Sequence, residues 1–110
     1  MRSAIILLVL PIKKQWFDMI VSGIKKEEYR AVSAYYKVRF KNLFNMYPYT
    51  YTPTGYDTQK LMLRNGYSKN SPSCIITASL DIKKGKPEWG AEEDKEYYVL
   101  KIYNVEPIKN

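Results

Sequence analysis

Three segments in the second half of the chain have the lengths and residue patterns of β-strands. They are "KLMLRN", "CIITASLDI" and "YYVLKIYNV", at residues 60–65, 74–82 and 97–105. The last one alternates its side chains with a period of two, and the middle one is largely an apolar run of strand length. The connections at residues 66–73 and 83–96 contain Gly and Pro, which favour turns. This half of the chain therefore predicts consecutive, mostly antiparallel strands.

The first half of the chain alternates strands with helices. Residues 4–10 are continuously apolar, which predicts a central strand covered on both faces. Pro11 is expected to open a helix at the position that proline tolerates best, and Gly23 to end that helix as a left-handed cap. The segment "EEYRAV" at residues 27–32 predicts a second strand. A second helix is expected over residues 34–44.

The element order β-α-β-α-β-β-β predicts an α+β fold, in which a small, mostly antiparallel curved sheet or barrel is flanked by two helices. At 110 residues the chain has room for one hydrophobic core, so residues 1–110 are predicted to form a single domain. Residues 45–59 are rich in Tyr, Thr, Pro and Gly. A connection of this length in so small a domain is typical of a functional loop.

Basic residues outnumber acidic ones, and the excess lies in the N-terminal half. The chain has 18 Lys and Arg against 11 Asp and Glu, a formal net charge of +7. Residues 1–47 carry nine positive and three negative charges, whereas residues 81–110 carry six positive and seven negative. An anionic partner is therefore expected to dock on the N-terminal half. The alternative is a lysine-rich surface that only favours solubility.

The chain contains no histidine and a single cysteine, Cys74. This composition excludes Ser-His-Asp and Cys-His catalysis and argues against a zinc site, so we expect no metal and no other cofactor. Cys74 lies in an apolar run and is predicted to be a buried, inert thiol, which fits a reducing cytoplasm. The apolar run near the N-terminus is too short to span a bilayer. We therefore expect a cytoplasmic monomer with no membrane partner.

The stretch "SGIKKEEYR", residues 22–30, places a dense run of charges between the first helix and the second strand. In an extended segment Glu28 and Arg30 point to the same face, because side chains alternate along a strand. Lys25 follows the turn at Gly23 and need not obey this alternation. The three charges can therefore converge where the helix ends and the strand begins. The alternative is that all the charges of this stretch point into water.

Gly23, Lys25, Glu28 and Arg30 fill the pattern G-x-K-x-x-E-x-R directly after a predicted strand, helix and cap. This pattern is the signature of the ASCH domain family, which the chain resembles over essentially its whole length. The resemblance implies a fold similar to the PUA domains of RNA-modification proteins, a β-barrel flanked by helices. It also implies an RNA-binding cleft beside the first helix, floored by the signature residues. A few small members are assigned hydrolytic activity on nucleosides or RNA.

In such a cleft the signature residues predict a binding site for RNA or a nucleotide-like anion. Lys25 would supply a mobile charge for a phosphate, and Arg30 a planar group that clamps a phosphate or stacks on a base. Glu28 either holds its cationic neighbours in place or accepts a hydrogen bond from a base amino group. Tyr29 points to the opposite face of the strand and is expected in the core.

The segment "LRNGYSKNSPS" is the predicted second wall of the cleft. It offers cations, a hydroxyl and an aromatic ring, at Arg64, Lys69, Ser68 and Tyr67. Aromatic rings interleaved with cations are typical of proteins that bind single-stranded RNA, because stacking needs no sequence match. The tyrosines of residues 45–59 are further candidates for stacking, and the alternative is that they pack this loop onto the barrel.

A hydrolase is the alternative function. Related amidohydrolases that deacetylate N4-acetylcytidine look as though they use a threonine three residues after the signature lysine, where this chain has Glu28. The branch with ribonuclease activity resembles this chain in its lysine, and Tyr67 and Ser68 are candidates for its tyrosine and serine. If the chain is an enzyme, Lys25 is the predicted catalytic residue. The pKa of Lys25 would then have to fall towards neutrality through burial or nearby cations.

Overall fold

A computed structural model describes residues 7–44 and 57–108 of the chain. The elements in chain order are β1 (Val9–Ile12), α1 (Lys14–Val21), β2 (Glu27–Ala31), α2 (Ala34–Leu43), β3 (Thr58–Asn65), β4 (Ser73–Lys84), a 3-10 turn (Pro87–Trp89) and β5 (Glu96–Ile108). The strands form one sheet in the order β1-β3-β4-β5-β2. β1 is parallel to β3, and the other neighbouring pairs are antiparallel. The predicted α+β class is confirmed, with a mixed sheet curled into a half-barrel.

One face of the sheet and both helices share a hydrophobic core. Alternate residues of β5 point into this core, and so do apolar residues of α1 and α2: Tyr98, Leu100, Ile102, Phe17, Ile20 and Phe40. The period-two pattern of β5 is therefore confirmed. A β-bulge between Thr77 and Ala78 interrupts the pairing of β4 with β5. Such bulges increase the local twist, which helps the sheet to curl.

The N-terminal strand differs from the prediction. It spans Val9–Ile12 instead of residues 4–10, of which residues 4–6 lie outside the described part of the chain. Among the described strands β1 lies at an edge of the sheet, so the prediction of a central strand is wrong. Leu10 and Ile12 are buried because their side chains reach the shared core. A run of apolar residues in a sequence indicates that the strand is buried. It does not show whether the strand has neighbours on one side or on both.

Pro11 lies within β1 and does not open the helix. α1 begins at Lys14, with Lys13 as its N-cap, so the predicted helix start is wrong. An edge strand tolerates proline because one of its sides has no ladder partner that needs an N–H. The predicted end of α1 is confirmed, since Gly23 has a φ of +86° and follows the C-cap residue Ser22.

The second helix and the later strands follow the sequence closely. α2 ends at its C-cap Phe44, and the Ser33 hydroxyl at its start accepts a hydrogen bond from the N–H of Tyr36. β3 begins at Thr58, so the end of the predicted loop is strand, and residues 45–56 lie outside the described part. Within residues 7–44 and 57–108, no helix has the length and apolar character needed to cross a bilayer.

Cys74 is buried in the core, as predicted, and its burial generates a pH-dependent stability. Burial raises the pKa of the Cys74 thiol from 9.0 to about 11. The unfolded chain therefore loses this proton first, and the stability that the thiol contributes is complete below pH 9 and is lost as the pH rises towards 11.

We expect the unfolding free energy of Cys74→Ala to fall less steeply than that of the original protein between pH 9 and pH 11, measured by urea denaturation. An identical pH slope in both proteins would contradict this.

Candidate functional site

The end of α1 and the strand β2 bring three charged side chains together. Glu28 Oε2 accepts a hydrogen bond from Arg30 Nη2 at 2.8 Å, and Glu28 Oε1 lies 3.2 Å from Lys25 Nζ. Lys25 reaches this position because the chain turns at Gly23, after which the Lys25 N–H donates to the main-chain oxygen of Met19. The carboxylate therefore lies between two cations, one on each of its oxygens.

These three side chains are largely buried. Their exposed fractions are 0% for Lys25, 8% for Glu28 and 11% for Arg30. The alternative in which the whole charge run points into water therefore does not hold for these residues. Moving a charged side chain from water into the protein interior costs roughly several kcal/mol of free energy unless the charge is paired and hydrogen-bonded. Glu28 meets this requirement for both cations at once.

Lys25 joins three segments of the chain. Its Nζ donates to the main-chain oxygen of Trp89 in the 3-10 turn at 2.8 Å. The same atom lies 4.7 Å from the ring centre of Tyr29 and 5.3 Å from that of Trp16, within cation–π range. Burial lowers the pKa of Lys25, and the Glu28 carboxylate opposes this effect. Lys25 thus ties β2 and the 3-10 turn to α1.

Arg30 connects the two edge strands of the half-barrel. Its Nη2 also donates to the main-chain oxygen of Pro11 at 2.8 Å, and its Nη1 donates to the Tyr36 hydroxyl at 3.3 Å. Because Pro11 belongs to β1 and Arg30 to β2, this contact spans the gap between the edges. Burial opposes the guanidinium charge, but Glu28 and Tyr36 outweigh it and raise the pKa of Arg30. Arg30 Nε is buried and has no hydrogen-bond partner among the described residues.

An open cleft of about 610 Å³ lies at the gap between β1 and β2. Its volume falls within the range of small-molecule sites, roughly 300–1,000 Å³. The lining includes three cationic and four aromatic residues, which are Lys13, Lys14, Arg30, Trp16, Tyr29, Tyr36 and Tyr67. Glu28, at the base of the cleft, is neutralised by its two cationic neighbours. The cleft therefore combines positive charge with rings that can stack.

The two outer aromatic walls of the cleft differ in how firmly they are held. The Trp16 ring packs on Gly90, where a Cβ would lie 3.0 Å from the ring. Gly90 is thus needed for this close approach. Tyr67 follows Gly66, whose φ is +110°, and is 89% exposed at the tip of a turn. The Tyr67 ring is therefore exposed to solvent, whereas the Trp16 ring is packed against the main chain.

The predicted site residues separate into two groups. Arg30, Glu28 and Tyr67 line the cleft, whereas the enclosed ammonium of Lys25 does not. Arg64 points away from the core, on the face of β3 opposite to the buried Leu63. In the part of the chain that the structure describes, its buried Nε has no hydrogen-bond partner. Two others, Ser68 and Lys69, are exposed in the turn beyond Tyr67. Of the predicted second wall, Asn65, Gly66 and Tyr67 line this cleft.

Several cleft residues carry no sequence signal of their own. Trp16 and Tyr36 lie in the apolar stripes of their helices, and a stripe does not separate a ring that fills the core from one that lines a cleft. Lys13 and Lys14 look like ordinary solvated lysines at a helix start. Only the meeting of β1, α1, β2 and α2 at one gap identifies them.

No family model, curated protein or solved structure matches the chain. The resemblance to the ASCH family therefore stays a prediction that depends on the four signature residues. Within the described ranges, no group of three His, Cys, Asp or Glu side chains is arranged to hold a metal ion. The interpretation of the site consequently depends on the geometry and charge of the cleft.

Replacing Glu28 by Gln is expected to destabilise the fold strongly. The substitution removes the charge that neutralises Lys25 and Arg30, and breaking a buried ion pair costs about 3–5 kcal/mol. The matched control is Asp18→Asn, which removes an exposed pair with Lys14 and should cost no more than about 1 kcal/mol. Urea denaturation of both variants measures the difference. Equal losses of unfolding free energy would show that the buried carboxylate has no special role.

Proposed function

We propose that the chain binds RNA or a nucleotide-like anion in the cleft between β1 and β2. The observation that supports this proposal is one open cleft that combines cations with aromatic rings, Arg30 and Lys13 on one hand and Trp16 and Tyr67 on the other. Proteins that bind single strands use this combination, because cations attract phosphates and rings stack on bases. The net charge of +7 favours an anionic partner as well.

The charges of the cleft are unequally available to a ligand. Lys14 is paired with Asp18, and Arg30 shares its charge with Glu28. Lys13 is exposed and has no salt bridge within the described ranges. Lys13 is therefore the cation best placed to follow a phosphate, while Arg30 offers a fixed guanidinium at the base of the cleft.

The proposal gives the signature residues roles that differ from one another. Lys25 supports the site indirectly, because its Nζ contacts the 3-10 turn and the Trp16 ring. It does not serve as a mobile phosphate ligand. Both oxygens of Glu28 are engaged by cations, which supports the structural role over an interaction with a base amino group. The half-barrel with two helices and this cleft is compatible with a PUA-like, ASCH-type module, and that assignment is part of the proposal.

Hydrolysis receives less support from this geometry. A catalytic Lys25 would need to reach a ligand, but its side chain is enclosed and its Nζ is bonded to Trp89 and Glu28. Burial lowers the pKa of Lys25, yet a base must also lie within hydrogen-bond reach of the proton it removes. We therefore favour binding over catalysis. The monomeric state and the cytoplasmic location stay predictions.

Binding of a fluorescent single-stranded oligouridylate is expected to weaken steeply with salt. Each phosphate neutralised on a single strand contributes roughly 0.7 log units of affinity per log unit of salt. Lys13→Gln should therefore weaken binding and make this slope shallower by about 0.7. Lys101→Gln, an exposed lysine on β5 outside the cleft, is the control and should leave the slope unchanged. Flat salt dependence, or no binding at low salt, would contradict the proposal.

Tyr67→Ala is expected to weaken binding of the same strand, because base–aromatic stacking contributes roughly 1–3 kcal/mol per base. Tyr67→Phe keeps the ring and should bind like the original protein. Tyr103→Ala removes an exposed ring outside the cleft and serves as the matched control. Fluorescence anisotropy compares the four proteins. Similar losses for Tyr67→Ala and Tyr103→Ala would argue against stacking in the cleft.

A further inference from the structure

We infer that the free edge of β2 reads the base of a bound nucleotide through main-chain hydrogen bonds at Tyr29 and Ala31. The inference rests on the proposed function and adds to it the part of the ligand that is recognised. It concerns main-chain groups, which no motif in the sequence marks. The evidence lies in the pairing register of β2, in the partners of its outer edge and in the shape of the cleft.

The register shows which way the main-chain groups of β2 point. The N–H of Ile102 donates to the oxygen of Lys26 at 2.9 Å, in the same register in which β2 pairs with β5. In an antiparallel pair, residues that exchange hydrogen bonds alternate with residues that do not. Counting from Lys26, the residues that do not bond to β5 include Tyr29 and Ala31. Their N–H and C=O groups point away from the sheet.

This outer edge opens into the cleft. β2 is the last strand of the sheet among the described residues, and Tyr29 and Ala31 both line the cleft. Within the described ranges, no hydrogen bond outside the sheet reaches the N–H or C=O of either residue. Ala31 is exposed and Tyr29 is half-buried, so their main-chain groups are accessible from the open cleft. The Tyr29 oxygen and the Ala31 N–H thus form an acceptor and a donor, side by side, that a ligand can satisfy.

A nucleobase matches this pair. The Watson–Crick edge of every base carries a donor next to an acceptor, and RNA-binding proteins commonly bond to this edge of unpaired bases. For uridine, N3–H would donate to the Tyr29 oxygen, and a ring carbonyl would accept from the Ala31 N–H. Trp16 and Tyr67 line the same cleft and offer rings that can stack on the base, and Lys13 in this cleft offers a charge for a phosphate.

The same edge is a poor fit for a peptide strand. A strand added between β1 and β2 needs about 4.8 Å on each of its sides along the whole gap. The hydrogen bond from Arg30 to the Pro11 oxygen crosses this gap and ties the two edges together. A base needs only a short part of the edge and can enter from the open side. The cationic lining also suits a phosphate attached to that base.

Ala31→Pro tests the main-chain donor directly. It removes the outward N–H, and proline is tolerated on an edge strand where the N–H faces away from the ladder. The preceding residue Arg30 is already extended, as a residue before proline prefers. Ala31→Val has a similar size and keeps the N–H, which makes it the matched control. Thermal unfolding confirms that each variant is folded.

The ligands are uridine 5′-monophosphate, N3-methyluridine 5′-monophosphate and ribose 5-phosphate, each competing with a fluorescent oligouridylate. We expect the unmodified nucleotide to bind about threefold to tenfold more tightly than the methylated one, the effect of one hydrogen bond. The original protein and Ala31→Val should show this preference, and Ala31→Pro should bind the unmodified nucleotide about threefold to tenfold more weakly than Ala31→Val does. If Ala31→Pro does not fold, the affinities of the original protein for the three ligands still show whether the base is recognised.

The outcomes separate this inference from the proposed function. Equal affinities for all three ligands, with salt-dependent RNA binding intact, would overturn base reading and leave the proposed function standing. Displacement of the nucleotide by an acidic peptide, lost in Ala31→Pro, would assign the edge to a peptide strand and overturn it as well. Failure to bind RNA or nucleotides at low salt would overturn both proposals.

Discussion

The fold around the cleft depends on one carboxylate that neutralises two buried cations. Glu28 bonds to Arg30 through one oxygen and to Lys25 through the other, and all three side chains are largely withdrawn from water. Each cation is also bonded to a main-chain oxygen of a distant segment, Lys25 to Trp89 and Arg30 to Pro11. A single negative charge therefore permits two cross-links that would otherwise leave unpaired charges in the interior.

These cross-links explain why the half-barrel is left open but held at a defined width. Within residues 7–44 and 57–108, β1 and β2 are not paired through their main chains, and the Arg30 side chain bridges them instead. The gap above this bridge becomes the cleft. The pairing register of β2 with β5 directs the main-chain groups of Tyr29 and Ala31 away from the sheet, and both residues line the cleft. The Arg30 side chain bonds to Pro11, Tyr36 and Glu28, and in none of these bonds does it engage the main-chain groups of Tyr29 or Ala31.

In this site, the residues that stabilise the fold differ from those that are exposed to a ligand. Lys25 and Glu28 hold the base of the cleft, whereas Lys13 and Tyr67 lie on its exposed rim. Charges that are enclosed and fully bonded have little freedom to follow a ligand, and rim residues have that freedom at low cost in fold stability. In the proposed function, Lys25 and Glu28 therefore stabilise the fold, whereas Lys13 and Tyr67 contact the ligand. Mutations in the two groups should accordingly produce different defects.

The sequence by itself determined the helices, the later strands, the cap at Gly23 and the shared face of Glu28 and Arg30, because each depends on residues close together in the chain. Pro11 was assigned wrongly, since a helix start and an edge strand both accommodate a missing N–H, and only pairing with β3 distinguishes them. The tertiary structure alone decided that Lys25 is enclosed and that Trp16 lines a cleft. Both facts depend on segments such as the turn at Trp89, which lies 64 residues from Lys25, and local patterns do not report such approaches.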